Sequence, residues 1–257
     1  MQCMVMRFSL WMLWLGLALA RIPLAAQWVH YPTAGIPRTK DGKPNLTAAA
    51  PRTREGRPDF SGIWAAPSGK YLANLAADGA PSMQPWAAKL YQERQANEGK
   101  DRPSGRCLPH SVTDFDAHPM PKKLIQTPGL LTMLYESYHS FRQIFTDGRP
   151  LPEQPEPAWF GYSVGKWEGD ALVVDTIGVN DKTWLDDGGH PHSDAMHIVE
   201  RFRRPDFGHM EVKITIDDPK AYTKPWTVTV PWELLADTEL LDWVCENEKD
   251  LSHLVGK

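Results

Sequence analysis

The chain has 257 residues, with 28 Lys+Arg against 32 Asp+Glu, 42% hydrophobic and 23% charged residues. Those values exclude a disordered or collagenous chain, and the net charge of -4 gives no basic footprint for nucleic acid. The unusual counts are 23 Pro, roughly twice the average usage, and 11 Trp. That much Pro argues against a bundle of long helices.

The first 26 residues read as an export signal. Arg7 is the only charge before an apolar run over residues 8–20. That run suits a signal-peptide core and is short for a membrane span. Cleavage is expected after Ala26, with Ala20 as a second candidate, leaving no stable membrane span. It removes Cys3 and leaves Cys107 and Cys245. In an oxidising compartment an even pair reads as one disulfide, so a periplasmic or extracellular protein is expected.

Residues 27–59 hold Pro32, Pro37, Pro44, Pro51 and Pro58 among small polar residues, with no evident period. They are expected to form an extended proline-rich arm. Residues 60–257 are expected to form a single domain. Residues 60–64 suggest a first strand. Residues 82–98 carry a helical stripe of Met83, Trp86, Ala87, Leu90 and Tyr91. Ser82 is placed to cap that helix, Pro85 falls in its first turn and Gly99 at its end.

From Lys123 the period becomes two. Strands are predicted at residues 124–127, 130–136, 138–146, 159–167, 171–177, 196–203, 208–216, 226–234 and 239–245. Turn residues separate most of them, and a proline-rich loop spans residues 149–157. Many short strands without strand–helix alternation predict a mainly β fold, an antiparallel barrel or sandwich with one amphipathic helix.

Gly62-Ile63-Trp64 resembles the Gly-x-Trp that opens lipocalins, which implies a lipocalin-like β-barrel around one small ligand. Gly165-Lys166-Trp167 fits the same triplet, so strand number carries more of that reading. The chain also resembles a family of exported proteins frequent in soil bacteria. The blocks are Pro58-Asp59-Phe60-Ser61-Gly62-Ile63-Trp64, Phe141-Arg142-Gln143-Ile144-Phe145-Thr146-Asp147-Gly148-Arg149-Pro150, Gly161-Tyr162-Ser163-Val164-Gly165, Trp167-Glu168-Gly169-Asp170, Gly189-His190-Pro191-His192-Ser193 and Thr215-Ile216-Asp217-Asp218-Pro219. The resemblance implies export and a single domain, and it transfers no catalytic residue. Residues 111–118 depart from its pattern, which weakens any site role for His118.

His190 and His192 stand one residue apart in a Gly-rich loop. They suggest a general acid or base near neutral pH, or a divalent metal site, for which the following positions lack the spacing of a cupin. Alternation puts Glu200 with Phe202 on an apolar face, which marks Glu200 as the acid/base candidate. Arg201 falls on the opposite, polar face with Arg203. Glu136 shares a face with Leu134, and Tyr138 and Arg142 with Ile144. Arg142 is expected to pair with Glu136 or Glu200, or to hold a ligand carboxylate. Trp159 and the other strand tryptophans suggest an aromatic wall.

No nucleophile elbow, Cys-x-x-Cys pair, phosphate loop or dinucleotide fingerprint occurs. The expectation is an exported barrel that binds a small apolar or aromatic molecule without a cofactor. The alternatives are an acid/base lyase, isomerase or hydrolase built on His190, His192 and Glu200, and a structural envelope protein contacting its partners through the arm.

Overall fold

The computed structural model describes residues 32–79, 82–241 and 243–245. The signal-like segment 1–26 lies outside the described residues, as does the start of the arm. Nine strands follow in chain order: β1 Gly62–Ala65, β2 Lys122–Thr127, β3 Leu130–Tyr135, β4 Phe141–Phe145, β5 Tyr162–Glu168, β6 Ala171–Ile177, β7 His197–Arg203, β8 His209–Asp217 and β9 Trp226–Leu234. Each pairs with the next, and β9 closes onto β1 through Trp64 opposite Leu234 and Ala65 opposite Glu233. The fold is therefore a closed, mainly β barrel, as the strand spacing predicts.

Alternation sets the two faces. Along β9 Trp226, Val228, Val230, Trp232 and Leu234 are buried, while Thr227, Thr229, Pro231 and Glu233 face out. Pro231 can offer no N–H to a ladder, and it lies where the pairing to β1 has already ended. The inward residues fill the interior, with Trp64, Trp232, Phe202, Met133 and Leu131 among the fully buried side chains. Both tryptophans find an acceptor for the indole N–H. Trp64 donates to the Phe60 carbonyl at 3.0 Å and Trp232 to the Asp116 carbonyl at 2.7 Å.

One seam departs from the antiparallel expectation. β4 and β5 are parallel and pair at only two positions, Ile144 with Ser163 and Phe145 with Val164. Every other pairing between the nine strands is antiparallel. The cause is the connection. Residues 146–161 form the proline-rich loop, longer than the dozen or so residues that a parallel return requires. The loop carries the chain back to the end from which β4 started.

Among the described residues three α-helices accompany the strands: α1 Lys70–Ala73, α2 Pro85–Ala96 and α3 Val112–Ala117. α2 is shorter than the predicted 82–98. Gln84 stands at its N-cap without a side-chain bond, and Ser82 lies outside the helix. Its inner face is Ala87, fully buried, with Leu90, Tyr91 and Arg94 half-buried. Trp86 is exposed, although its indole N–H reaches the Lys220 carbonyl at 2.7 Å. α3 has no counterpart in the predicted elements. Ser111 caps it by accepting from the Asp114 N–H, and all six of its residues are buried.

The predicted strand at 239–245 is a correction: its described residues form no strand. Cys245 there is bonded to Cys107, so this stretch is held covalently instead of by a ladder. The arm is a second correction. Residues 37–46 and 51–60 repeat one pattern, Pro-Arg-Thr-(Lys/Arg)-acid-Gly-(Lys/Arg)-Pro-(Asn/Asp)-(Leu/Phe). Each copy folds into a small hairpin. Thr39 N–H donates to the Lys43 carbonyl and Asn45 N–H to Pro37. Thr53 and Asp59 repeat both bonds with Arg57 and Pro51. Arg38 then clamps Asp237, and Arg52 clamps Asp170 in the β5–β6 turn. Between them Leu46 presses on Gly208, where an added Cβ would meet the Leu46 Cβ at 2.4 Å.

The Cys107–Cys245 bridge spans 138 positions. A loop of that length stabilises by roughly 4–5 kcal/mol in the chain-entropy account, and less where the unfolded chain keeps structure. The Cys107→Ser, Cys245→Ser double variant is expected to lose about 2–5 kcal/mol in chemical denaturation. Equal midpoints for the two proteins would contradict that role.

Candidate functional site

The barrel interior carries one charged network. Arg142 on β4 points inward and is 2% exposed, and Glu200 on β7 is fully buried. The Arg142 Nη1 donates to Glu200 Oε1 at 2.8 Å, and Nη2 reaches Oε2. Nη2 also donates to Thr176 Oγ1 on β6 at 2.8 Å, and Nε to Ser163 Oγ on β5 at 3.1 Å. Ser163 and Thr176 hydroxyls bond each other at 2.9 Å. One guanidinium thus links four consecutive strands. Burial pulls the Arg142 guanidinium down, but the Glu200 carboxylate outweighs it and holds Arg142 above its ordinary value.

Two further charges share this interior. Asp116, at the end of α3, is fully buried and neither carboxyl oxygen has a hydrogen-bond partner. Burial, then the Glu200 carboxylate, push Asp116 well above the usual carboxylate range. A protonated, neutral Asp116 is the form such a position favours. Lys122, at the start of β2, is fully buried. Its Nζ donates to the Asp116 and His118 carbonyls at 3.2 Å and lies 4.3 Å from the centre of the Trp232 ring. Burial pushes Lys122 down to about 7, with Asp116 pulling the other way.

The sequence-predicted residues divide into three groups. Arg142 and Glu200 meet, as one of the two predicted pairings has it. Glu136 does not join them. It is buried beyond the end of β3, where Oε2 accepts from the Leu241 N–H at 2.9 Å. Tyr138 leaves the predicted face altogether. It sits in a turn with φ 61°, its hydroxyl donates to the Ser104 carbonyl, and its ring packs on His110 and Trp243. Arg201 faces out and pairs with Glu168 at 2.6 Å, both partly exposed, a pair worth about 0–1 kcal/mol.

His190 and His192 are both buried, so neither is presented openly from a loop at a barrel mouth. His190 Nδ1 donates to Asp186 Oδ2 at 2.6 Å, and its ring stacks on Tyr91 at 4.4 Å. His192 uses both nitrogens: Nδ1 donates to the Ser193 carbonyl at 3.1 Å and Nε2 accepts from Thr183 Oγ1 at 2.7 Å. Burial lowers its pKa, consistent with a neutral ring. Neither histidine is hydrogen bonded to Glu200 or Arg142 among the described residues.

Trp159 falls in a turn and not on the predicted strand, and there it joins Arg142 in one cleft. Beyond the two-residue ladder β4 and β5 splay apart and leave a cleft of ≈ 480 Å³. Phe141, Phe145, Trp159, Phe160 and Tyr162 surround it, and Arg142 and Ser163 border it from strand positions whose side chains turn into the barrel. Phe141 is 60% exposed, the most exposed of the large apolar residues described. Phe145 and Tyr162 stack at 5.3 Å. Gly161 is required at its position. Its φ is +59°, and an added Cβ would meet the Ile177 carbonyl oxygen at 2.4 Å. A second cleft, ≈ 570 Å³, lies between the second arm hairpin and the barrel end over Trp167 and Leu172. Arg57 reaches over that tryptophan, 5.7 Å from the ring centre.

Asp116, Lys122, Ser163 and Thr176 were not among the sequence candidates. Ser163 and Thr176 do fall on the inward period of their strands, so alternation alone could have placed them beside Arg142. A comparison with known proteins finds no matching family model, no matching curated protein and no matching solved structure. The closed barrel agrees with the lipocalin-like expectation at the level of architecture, and no family membership follows from it.

Two outcomes test this electrostatic account. Glu200→Ala is expected to cost about 3–5 kcal/mol, because it strands a buried guanidinium, whereas an Arg142→Met, Glu200→Leu pair should recover much of the loss. Equal penalties for the single and double variants would refute the account. The second concerns His118, whose Nδ1 accepts from the Met120 N–H at 3.0 Å. Burial, then the neighbouring His110 and Lys122, push His118 down to about 3. The unfolded chain therefore binds a proton between about pH 6.5 and 3 that the folded chain does not, and stability falls as pH drops through that window. His118→Asn keeps an acceptor for Met120 and should flatten this acid limb in denaturation curves taken from pH 7 to 3.

Proposed function

We propose that the protein is an exported binder of a small planar molecule, apolar or aromatic, held in the cleft at the β4–β5 seam. The observation that carries this reading is the concentration of aromatic side chains around the cleft, with Phe141 60% exposed at its edge. Aromatic walls with a few convergent polar groups are what small-molecule sites use. Ser140 and Gln143 at the cleft border offer such groups, Gln143 exposed on the same outward face as Phe141. The disulfide supports an oxidising compartment and hence export. The block resemblance to exported soil-bacterial proteins points the same way.

An acid/base enzyme built on His190, His192 and Glu200 has less support. The two histidines are engaged with Asp186 and Thr183, and Glu200 holds Arg142 through both oxygens. A structural envelope role through the arm also has less, since Arg38 and Arg52 are committed to carboxylates of the barrel itself.

The test is a thermal-shift screen with planar aromatic compounds, followed by tryptophan fluorescence titration. A ligand at 100 times its Kd stabilises by about 2.7 kcal/mol. Phe141→Ala and Trp159→Ala are each expected to weaken binding about tenfold or more, near 1.4 kcal/mol. Phe141→Ala should move stability by only about 0.5 kcal/mol. A panel without any shift, or a ligand indifferent to both substitutions, would sink the proposal.

A further inference from the structure

His110, Asp114 and Asp187 come together away from the seam cleft. Asp114 is on α3, His110 is in the loop before it, and Asp187 is in the loop that precedes β7. Each offers one ligand atom, and the three atoms lie within 4.8 Å of one another. His110 and Asp114 are 5% and 4% exposed, while Asp187 is half-buried. His110 Nδ1 is bonded to Asp114 Oδ2. The remaining polar atoms of that pair, His110 Nε2 and Asp114 Oδ1, are buried without a hydrogen-bond partner. Leaving a buried donor or acceptor unpaired costs stability, so two adjacent orphans call for a partner that the described residues do not supply.

We propose that His110, Asp114 and Asp187 bind one divalent first-row transition ion of the zinc type. One imidazole with two carboxylates is a donor set for zinc, cobalt or manganese, and the imidazole nitrogen disfavours calcium and magnesium. Three protein ligands leave a fourth position open. The exposed side of Asp187 is where solvent or a small anion would complete the shell. The surroundings hold the ligands in place. Ser104 Oγ donates to Asp187 Oδ1 at 3.4 Å, and the Tyr138 ring packs edge-on against His110 at 4.8 Å. The disulfide at Cys107 fixes the chain three residues before His110. The site is separate from the His190–His192 loop, where His192 has no ring nitrogen to spare.

Metal-stripped full-length protein titrated with Zn²⁺ by calorimetry should bind one ion, and with Co²⁺ it should develop visible absorption. Ca²⁺ and Mg²⁺ should bind far more weakly. Asp187→Asn, isosteric and at a half-buried position, should lower Zn²⁺ affinity by more than about tenfold, and His192→Ala should not. X-ray absorption at the zinc edge of the unsubstituted protein gives an answer that needs no variant: one imidazole among oxygen donors. The proposal is overturned by no Zn²⁺ binding, by binding that survives Asp187→Asn, by Ca²⁺ binding as tightly as Zn²⁺, or by two imidazoles at the metal.

Discussion

The parallel seam between β4 and β5 is one of the two shortest joins in the barrel, matched only by the closure of β9 on β1, and Arg142 spans it from within. Two residue pairs make its ladder, against seven along β5–β6 and eight along β8–β9. The guanidinium reaches across that gap to Ser163 on β5, then to Thr176 on β6 and Glu200 on β7. Side-chain hydrogen bonds here replace backbone ones. The arrangement works because the interior has low dielectric, where a fully bonded ion pair is strong and an unpaired charge is costly. The same shortness of the ladder produces the cleft. Extended toward the start of β4, the same register would have set Phe141 opposite Phe160 and left no room between them.

The strands were legible because a barrel with a filled interior imposes period two on every strand. Glu200 and Arg142 stood out as charges on apolar faces, and they are the pair that the interior contains. Direction was not legible, since alternation is the same in a parallel and an antiparallel strand. Only the length of the loop over residues 146–161 carried that information. Tyr138 was misplaced for a related reason: its apolar spacing fits a strand, while the backbone turns left-handed at Tyr138 and His139, which period cannot show.

The acidic helix α3 escaped notice because it is buried on every side, so it has no amphipathic stripe. A signal was present. Ser111-Val112-Thr113-Asp114 has the spacing of a helix N-terminus, and His110 lies one turn before Asp114. The tandem hairpins in the arm are also written in the sequence, as a repeat at a period of fourteen that proline content alone does not reveal. In both cases composition was a poorer guide than position-by-position comparison.

The clasp between the arm and the segment that follows β9 has a mechanical consequence. Thr33 N–H donates to Asp237 Oδ1, the Asp237 N–H donates to Thr33 Oγ1, and Arg38 grips the same carboxylate. The start of the described arm and the exit from β9 therefore meet at one point on the surface. A pulling force applied through Thr33 and Asp237 would load this polar clasp first and spare the strand ladders until it opened.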